Sequence, residues 1–269
     1  MPYCTAALVH GGFYNARVTR ILNLAAYKFV DLSQLSELRG RLLEHGRALG
    51  LKGTILLAEE GINLFLAGEA DALDHYLRFL AGDPRLAELE VKKSWSDTQP
   101  FGKFLVRIKR EIIRMNRPAI VPQAARAPAL SPSIARRWLD QGHDDDGRPV
   151  VMLDTRNAFE VAHGTFDGAV HWDLARFSEF PDAFAAHRAE LEGKTVISFC
   201  TGGIRCEKAA LLMRADGHAR TYQLDGGILN YFEKEGGAHY HGRCFVFDER
   251  ESLDAGLRPC PVEPEGSVS

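Results

Sequence analysis

Along the first hundred residues the spacing of apolar positions switches between the two-residue period of a strand and the three-to-four-residue period of a helix. Residues 23–30 (NLAAYKFV) predict a strand. Ser33 then stands where a helix cap is expected, and Leu35, Leu38, Leu42 and Leu49 return at three, four and seven residues until Gly50 ends the run. Two short apolar runs follow, TILLA at 54–58 and INLFLA at 62–67, separated by Glu59-Glu60-Gly61, which predicts a hairpin. A second helix is predicted over 70–80, with Leu73, Tyr76, Leu77 and Leu80 on one face. Residues 90–93 and 104–109 predict further strands.

The order β-α-β-β-α-β is that of a split βαβ, or ferredoxin-like, layer of two helices on an antiparallel sheet. Between 116 and 133 the chain carries Pro118, Pro122, Pro128 and Pro132 among Ala, Ser and Arg, a composition that resists element interiors. Beyond it, short apolar strands at 149–153, 169–170, 195–199 and 221–224 alternate with helical stretches near 157–163, 179–190, 205–216 and 227–234. Alternation of this kind predicts a parallel sheet covered on both faces. The expected division is therefore 1–115 for the first domain, 116–133 for a Pro-rich basic linker, 134–240 for an α/β domain and 241–269 for a C-terminal tail.

With 269 residues, 45% of them hydrophobic and 26% charged, the chain can bury one large core or two ordinary ones, which excludes disordered and disulfide-stapled classes. The opening MPYCTAALVHGGFYNARV has no basic region followed by a long apolar stretch, and no run suits a membrane span, so a cytoplasmic protein is expected. The net charge of −3 taken alone argues against a polyanionic partner. Resolved along the chain, it conceals an asymmetry: residues 90–137 hold eleven Lys or Arg against three acids, giving +8 there and −11 elsewhere. Lys103, Arg107 and Lys109 alternate with Phe104, Val106 and Ile108, so the cations are expected outward and the apolar side chains inward. Together with Lys92, Lys93, Arg110, Arg136 and Arg137 they make a candidate nucleic-acid stripe, with Trp95 and Phe101 available to stack on a base. A solvated charged face is the plainer alternative.

The segment Cys200-Thr201-Gly202-Gly203-Ile204-Arg205-Cys206-Glu207-Lys208 carries the clearest chemistry. Cys200 ends an apolar strand, two glycines permit a tight loop, and a helix opens behind it. Loop amides, the helix N-terminus and Arg205 all favour thiolate over thiol. Cys206 either resolves an oxidised or persulfide form of Cys200 or simply packs. The spacing Cys-x4-Arg closes a tighter ring than the Cys-x5-Arg of protein phosphatases, which suits a terminal sulfur or another small group. Upstream, Asp154, Arg156 and Glu160 are expected to orient the site, with Arg156 and Glu160 spaced for a helical ion pair. Arg176 is a further candidate for an anionic substrate.

The Cys-x4-Arg loop, with Asp154-Thr155-Arg156, Glu160 and the Asp167-Gly168-Ala169 turn, resembles a single rhodanese domain, and Cys200 matches that family's persulfide-forming cysteine. The loop variant together with Gly53-Thr54-Ile55-Leu56-Leu57-Ala58-Glu59-Glu60-Gly61-Ile62-Asn63, Lys93-Ser94-Trp95-Ser96-Asp97, Gln223-Leu224-Asp225-Gly226-Gly227-Ile228 and Cys244-Phe245-Val246-Phe247-Asp248-Glu249-Arg250 is similar to the rhodanese-containing tRNA uridine hydroxylases, from about residue 23 to about 250. The chain departs from the family pattern at 61–65 and 170–177. The resemblance implies a ferredoxin-like domain followed by a rhodanese-like domain, tRNA as partner, and hydroxylation at C5 of the wobble uridine with molecular oxygen as co-substrate. A sulfurtransferase carrying a persulfide on Cys200, or a non-enzymatic tRNA-binding or sulfur-carrier adaptor, are the competing expectations. No flavin, nicotinamide or iron signature is present in the sequence. His239, His241, Cys244 and Cys260 offer zinc-compatible side chains but lack a Cys-x2-Cys knuckle.

Overall fold

Side chains of β1 (Ile21–Phe29) alternate, so that Leu22, Leu24 and Ala26 are buried on one face of the first sheet. The computed structural model describes residues 20–260; the N-terminal stretch and residues 261–269 of the expected tail lie outside the described residues. α1 (Leu35–Ala48) buries Leu38 and Leu42. Its N-cap position is Gln34, at φ 52°, and Ser33, expected as the cap, instead places its Oγ 3.5 Å from Nη1 of Arg85. β2 (Lys52–Ala58), β3 (Gly61–Gly68), α2 (Ala70–Ala81), β4 (Lys92–Ser96) and β5 (Phe104–Ile108) complete the first domain.

The strand order is β4-β1-β3-β2-β5, with all neighbours antiparallel except β2 and β5. The first four strands have the ferredoxin-like arrangement that the pattern predicts. β5 adds a fifth strand, parallel to β2, at the far edge. β4 and β5 are successive in sequence yet lie at opposite edges, about 19 Å apart at the usual strand spacing. On β5, Phe104 and Val106 are buried as expected, whereas Ile108 is exposed because the strand ends there. β3 is buried along nearly its whole length, as its unbroken apolar run requires of a strand covered on both faces. One face meets the helices. On the other, Tyr27 and Phe29 pack with Ala58, Ile112 and Ile204, and Ile204 belongs to the second domain.

That second domain contains β6 (Ala129–Leu130), α3 (Pro132–Gln141), β7 (Val150–Asp154), α4 (Ala158–Val161), β8 (Gly164–Phe166), α5 (Phe180–His187), β9 (Thr195–Phe199), α6 (Ile204–Ala215), β10 (Thr221–Leu224), α7 (Gly227–Glu235), β11 (Tyr240–Gly242), β12 (Cys244–Phe245) and β13 (Ser252–Leu253). β6-β10-β9-β7 form a parallel sheet, and Val170 bridges in parallel to Leu153 at its edge. β9 is buried at every position. One core joins α3 and α7 to the sheet through Trp138, Ile228, Tyr231 and Phe232; the other joins α5 and α6 through Phe180, Phe184, Ala209 and Met213.

Two segments differ from the expected linker and tail. Ala129 and Leu130 already pair with β10, and Ser131 caps α3 with Pro132 in its first turn, a position where the missing N–H of proline costs nothing. The chain after residue 240 is likewise built in. β11 pairs with β8, β12 with β13, Glu249 N–H donates to the Pro100 carbonyl (3.2 Å), and Arg250 Nη1 donates to Ser94 Oγ (2.8 Å). This last stretch therefore crosses back onto the first domain.

A buried ammonium also joins the domains. Lys208 of α6 reaches Glu60 (2.8 Å), Glu111 (2.7 Å) and the Ile113 carbonyl (3.0 Å), all from the N-terminal side of the chain. Burial alone would raise the Glu111 carboxyl, but the Lys208 ammonium and the Met115 and Asn116 N–H groups hold it below its usual range. No helix among the described residues is long and apolar enough to cross a membrane.

Candidate active site

Cys200 follows the last residue of β9, and the turn Thr201–Gly203 carries the chain into α6. Gly203 adopts φ +100°, which only glycine takes without strain, and its N–H donates to Cys200 Sγ at 3.2 Å. The start of α7 closes over the same turn: Ile228 N–H donates to the Cys200 carbonyl at 2.9 Å, and Leu229 N–H to that of Thr201 at 3.1 Å. A Cβ on Gly227 would fall 2.4 Å from the Cys200 carbonyl oxygen, so the approach depends on glycine.

The sulfur is fully buried, which by itself disfavours the anion. A hydrogen bond from the Cys206 thiol, the Arg205 charge and the N–H groups of Arg205 and Gly203 outweigh that burial and pull Cys200 down to about 5. Cys206, desolvated and beside the Cys200 anion, is pushed well above its ordinary value and keeps its proton. Its sulfur also lies 3.6 Å from Thr155 Oγ1. The pair thus divides into a thiolate and the thiol that stabilises it.

Around this loop the charged residues pair differently from the sequence expectation. Glu160 binds Arg205 through both oxygens (2.5 and 2.7 Å), with both side chains buried. Arg156 is paired with Asp154 (2.6 Å), and the Asp154 carboxylate also accepts from Thr165 Oγ1 (2.7 Å). The expected Arg156–Glu160 helical pair is not formed, because Glu160 turns back to accept the Asn157 N–H at 3.1 Å and faces α6 instead. Arg205 therefore brings a compensated charge, held rigidly beside the sulfur.

Cys200 forms part of the floor of a cavity of about 580 Å³ between the two domains, a size suited to a nucleotide. Thr201, Gly202 and Arg205 line one wall. The opposite wall is the outer face of the first sheet, where Asn23, Ala25 and Tyr27 of β1 stand beside Lys92 and Ser94 of β4. Tyr27 faces the Glu207 carboxylate, which accepts from Arg126 at 2.7 Å. Burial, then the Glu207 and Cys200 charges, raise Tyr27 far above its ordinary value, so it remains a neutral phenol. Phe247 lies at the rim, half-exposed and edge-to-face with Phe245 and Phe159, with the Arg205 guanidinium 6.0 Å from its ring centre.

The basic window is divided by the fold. Lys92, Arg114 and Arg126 line the cavity, as does Phe101. Lys93 borders it as well, but its pairing with Leu24 turns its side chain to the helix face of the sheet, 4.0 Å from Asp74 of α2. Lys103, Arg107, Lys109 and Arg110 sit on or just beside β5, at the opposite edge of the sheet. Arg136 pairs with Glu235 (3.4 Å) and Arg137 with Asp145 (2.5 Å), which commits both to carboxylates. A single continuous stripe is thus not formed, for the reason that the ferredoxin-like order separates strands adjacent in sequence. Arg176 does line the cavity, paired with Glu179 at 3.0 Å. Trp95 is on the other side of β4, with Arg20 over its ring. His239 pairs with Asp140 and His241 with Asp167, and among the described residues no three His, Cys, Asp or Glu converge on a metal position. Burial pushes the Cys244 thiol up to about 12.

Tyr27, Glu207 and Phe247 are among the cavity residues that the motif reading does not single out. Tyr27 lies in an ordinary strand, and only the alternation that sends Leu24 and Ala26 to the core marks it as facing the other way. Glu207 and Phe247 lie inside motifs whose chemical roles the sequence leaves open.

The fold and site define a two-domain rhodanese protein. Residues 21–112 match the UPF0176 acylphosphatase-like domain and residues 135–234 the rhodanese-like domain. The chain is 61% identical over 240 residues to a tRNA uridine(34) hydroxylase of Cupriavidus taiwanensis, covering 89% of this chain and 85% of that protein. It is 63% identical over 239 residues to that of Bordetella avium, covering 89% and 99%. The chain belongs to the tRNA uridine(34) hydroxylase family.

Proposed function

We propose that this chain hydroxylates C5 of the wobble uridine of tRNA, in the cytoplasm, with molecular oxygen as co-substrate and the Cys200 thiolate as its reactive group. The observation that carries this reading is the identity of about six residues in ten, over 89% of this chain, to proteins named for that reaction. The geometry supports it. A thiolate stands at the floor of a nucleotide-sized cavity, and the base of a flipped or single-stranded nucleotide can enter such a site.

In this reading Arg205 and the Thr201–Gly203 turn with Ile204 hold the sulfur as an anion, Cys206 supplies the hydrogen bond that steadies it, and Asp154, Arg156 and Glu160 fix the surrounding scaffold. A pyrimidine C5 becomes electron-rich once a nucleophile adds at C6, and Cys200 is the group in the cavity suited to that addition. Arg114 at the cavity takes a phosphate flanking the target, with Lys103, Arg107, Lys109 and Arg110 a second, separate cationic patch.

Nucleoside mass analysis of tRNA tests the proposal, in a strain that lacks its own hydroxylase and carries this chain. Restored 5-hydroxyuridine is the expected result. A thiolated base in its place would assign sulfur transfer from a Cys200 persulfide, and an unchanged nucleoside profile would leave only a binding role.

A further inference from the structure

Lys92 opens β4, and Ala25 is its partner across β1. Alternation along β4 puts Lys92 and Ser94 on the face that looks into the cavity. The side chain crosses from the first domain to the Asp225-Gly226-Gly227 turn of the second. A Cβ on Gly226 would lie 2.3 Å from its amine, and Gly227 beside it packs on the Cys200 carbonyl. The amine thus sits one turn of backbone from the reactive cysteine.

Most other cations near this site are committed. Arg205 is bound by Glu160, Arg126 by Glu207, Arg250 by Asp248 and Lys208 by Glu60 and Glu111. Lys92 has no carboxylate within ion-pair distance among the described residues, although Asp225, Glu90 and Glu233 exert a longer-range pull on it. Burial lowers its proton affinity, and those three carboxylates and the Cys200 thiolate partly restore it. A half-buried ammonium with spare N–H donors, facing a cavity, is a group built to meet an acceptor on a ligand.

We propose that Lys92 is the residue that hydrogen-bonds the C4 carbonyl oxygen of the target uracil in the Cys200 cavity. When a nucleophile adds at C6, the new bond forms there and the electron pair of the C5–C6 double bond shifts onto C5 and, through C4, onto that oxygen. No group leaves and no proton has to move. Lys92 keeps its proton and stabilises the oxyanion with a charge-assisted hydrogen bond, stronger in a desolvated cavity than in water. Backbone phosphates remain at the wetter rim, where Arg114 is exposed, so the lysine at depth is left to the base.

This assignment rests on the hydroxylase reading, and the experiment separates the two. The full chain is expressed in the hydroxylase-deficient strain as wild type, Lys92→Met and Lys92→Arg, and each purified protein is assayed for tRNA affinity and thermal melting. We expect Lys92→Met to melt like wild type and bind tRNA within twofold. Its initial rate of 5-hydroxyuridine formation should fall about 100-fold, with Lys92→Arg recovering part of that loss because it keeps the charge and the donors. Full modification by Lys92→Met overturns the assignment and leaves the hydroxylase reading intact. A loss of tRNA affinity that matches the loss of modification also overturns it, since Lys92 would then be a phosphate contact. Failure of the wild-type chain to restore 5-hydroxyuridine removes the hydroxylase reading and this assignment with it.

Discussion

The two walls of the Cys200 cavity are built in opposite ways. The rhodanese wall is local: Cys200, Thr201, Gly202 and Arg205 are consecutive or nearly so, and one strand-to-helix turn sets their geometry. The wall from the first domain is assembled from afar. Tyr27 and Lys92 are brought side by side only because β1 and β4 are neighbours in the sheet. A local wall gives a motif, and a non-local one depends on topology. Chemistry concentrated in the first therefore depends on the second for its shape, its water exclusion and its cationic partner.

The largest expected effect concerns the rigidity of the local wall. Glu160→Gln leaves the buried Arg205 without its counter-charge and should cost about 3 to 5 kcal/mol of stability, read from urea denaturation. A loss below about 1 kcal/mol would show that the guanidinium finds solvent or another partner. The seam between the walls comes next. Lys208→Met removes the ammonium that Glu60 and Glu111 share and should cost about 3 kcal/mol, with the two domains melting in separate steps in calorimetry. A single unshifted transition would mean that the apolar contacts of Ile204, Ile112 and Phe29 suffice to couple them.

A smaller effect separates the two cationic patches. Reversing Arg114 to Glu should weaken tRNA binding about fivefold and flatten its salt dependence, whereas reversing Lys103, Arg107 and Lys109 on the far edge should change it about twofold or less. Equal effects would restore the picture of a single stripe. Smallest in amplitude is the pH profile of Cys200. Because its proton leaves near 5, alkylation by iodoacetamide should be almost independent of pH between about 6.5 and 9 and should fall as pH drops through 5. A rate that climbs through about 8.5 would mark an ordinary thiol.

The same contrast explains what was legible in the sequence. The ferredoxin-like order, the parallel sheet and the cysteine loop were readable because each is written in short-range periodicity or in one contiguous motif. The basic window misled for the complementary reason: eleven cations close together in sequence suggest one stripe, but β4 and β5 fold to opposite edges and Arg136 and Arg137 find carboxylates. The expected Arg156–Glu160 pair failed similarly, since helical spacing carries no information about Arg205 arriving from α6. The continuous apolar run of β3 did hold a signal that its second face is covered, by what turns out to be the other domain.

The Cys200 thiolate is the proposed reactive group of this interdomain site. Its most direct test compares Cys200→Ser with Cys206→Ser in the hydroxylase-deficient strain, with tRNA 5-hydroxyuridine measured by mass spectrometry. A reactive Cys200 thiolate requires that Cys200→Ser yield none and that Cys206→Ser, which removes only a supporting hydrogen bond, yield a reduced but measurable level. Wild-type levels of the modified nucleoside with Cys200→Ser would contradict it.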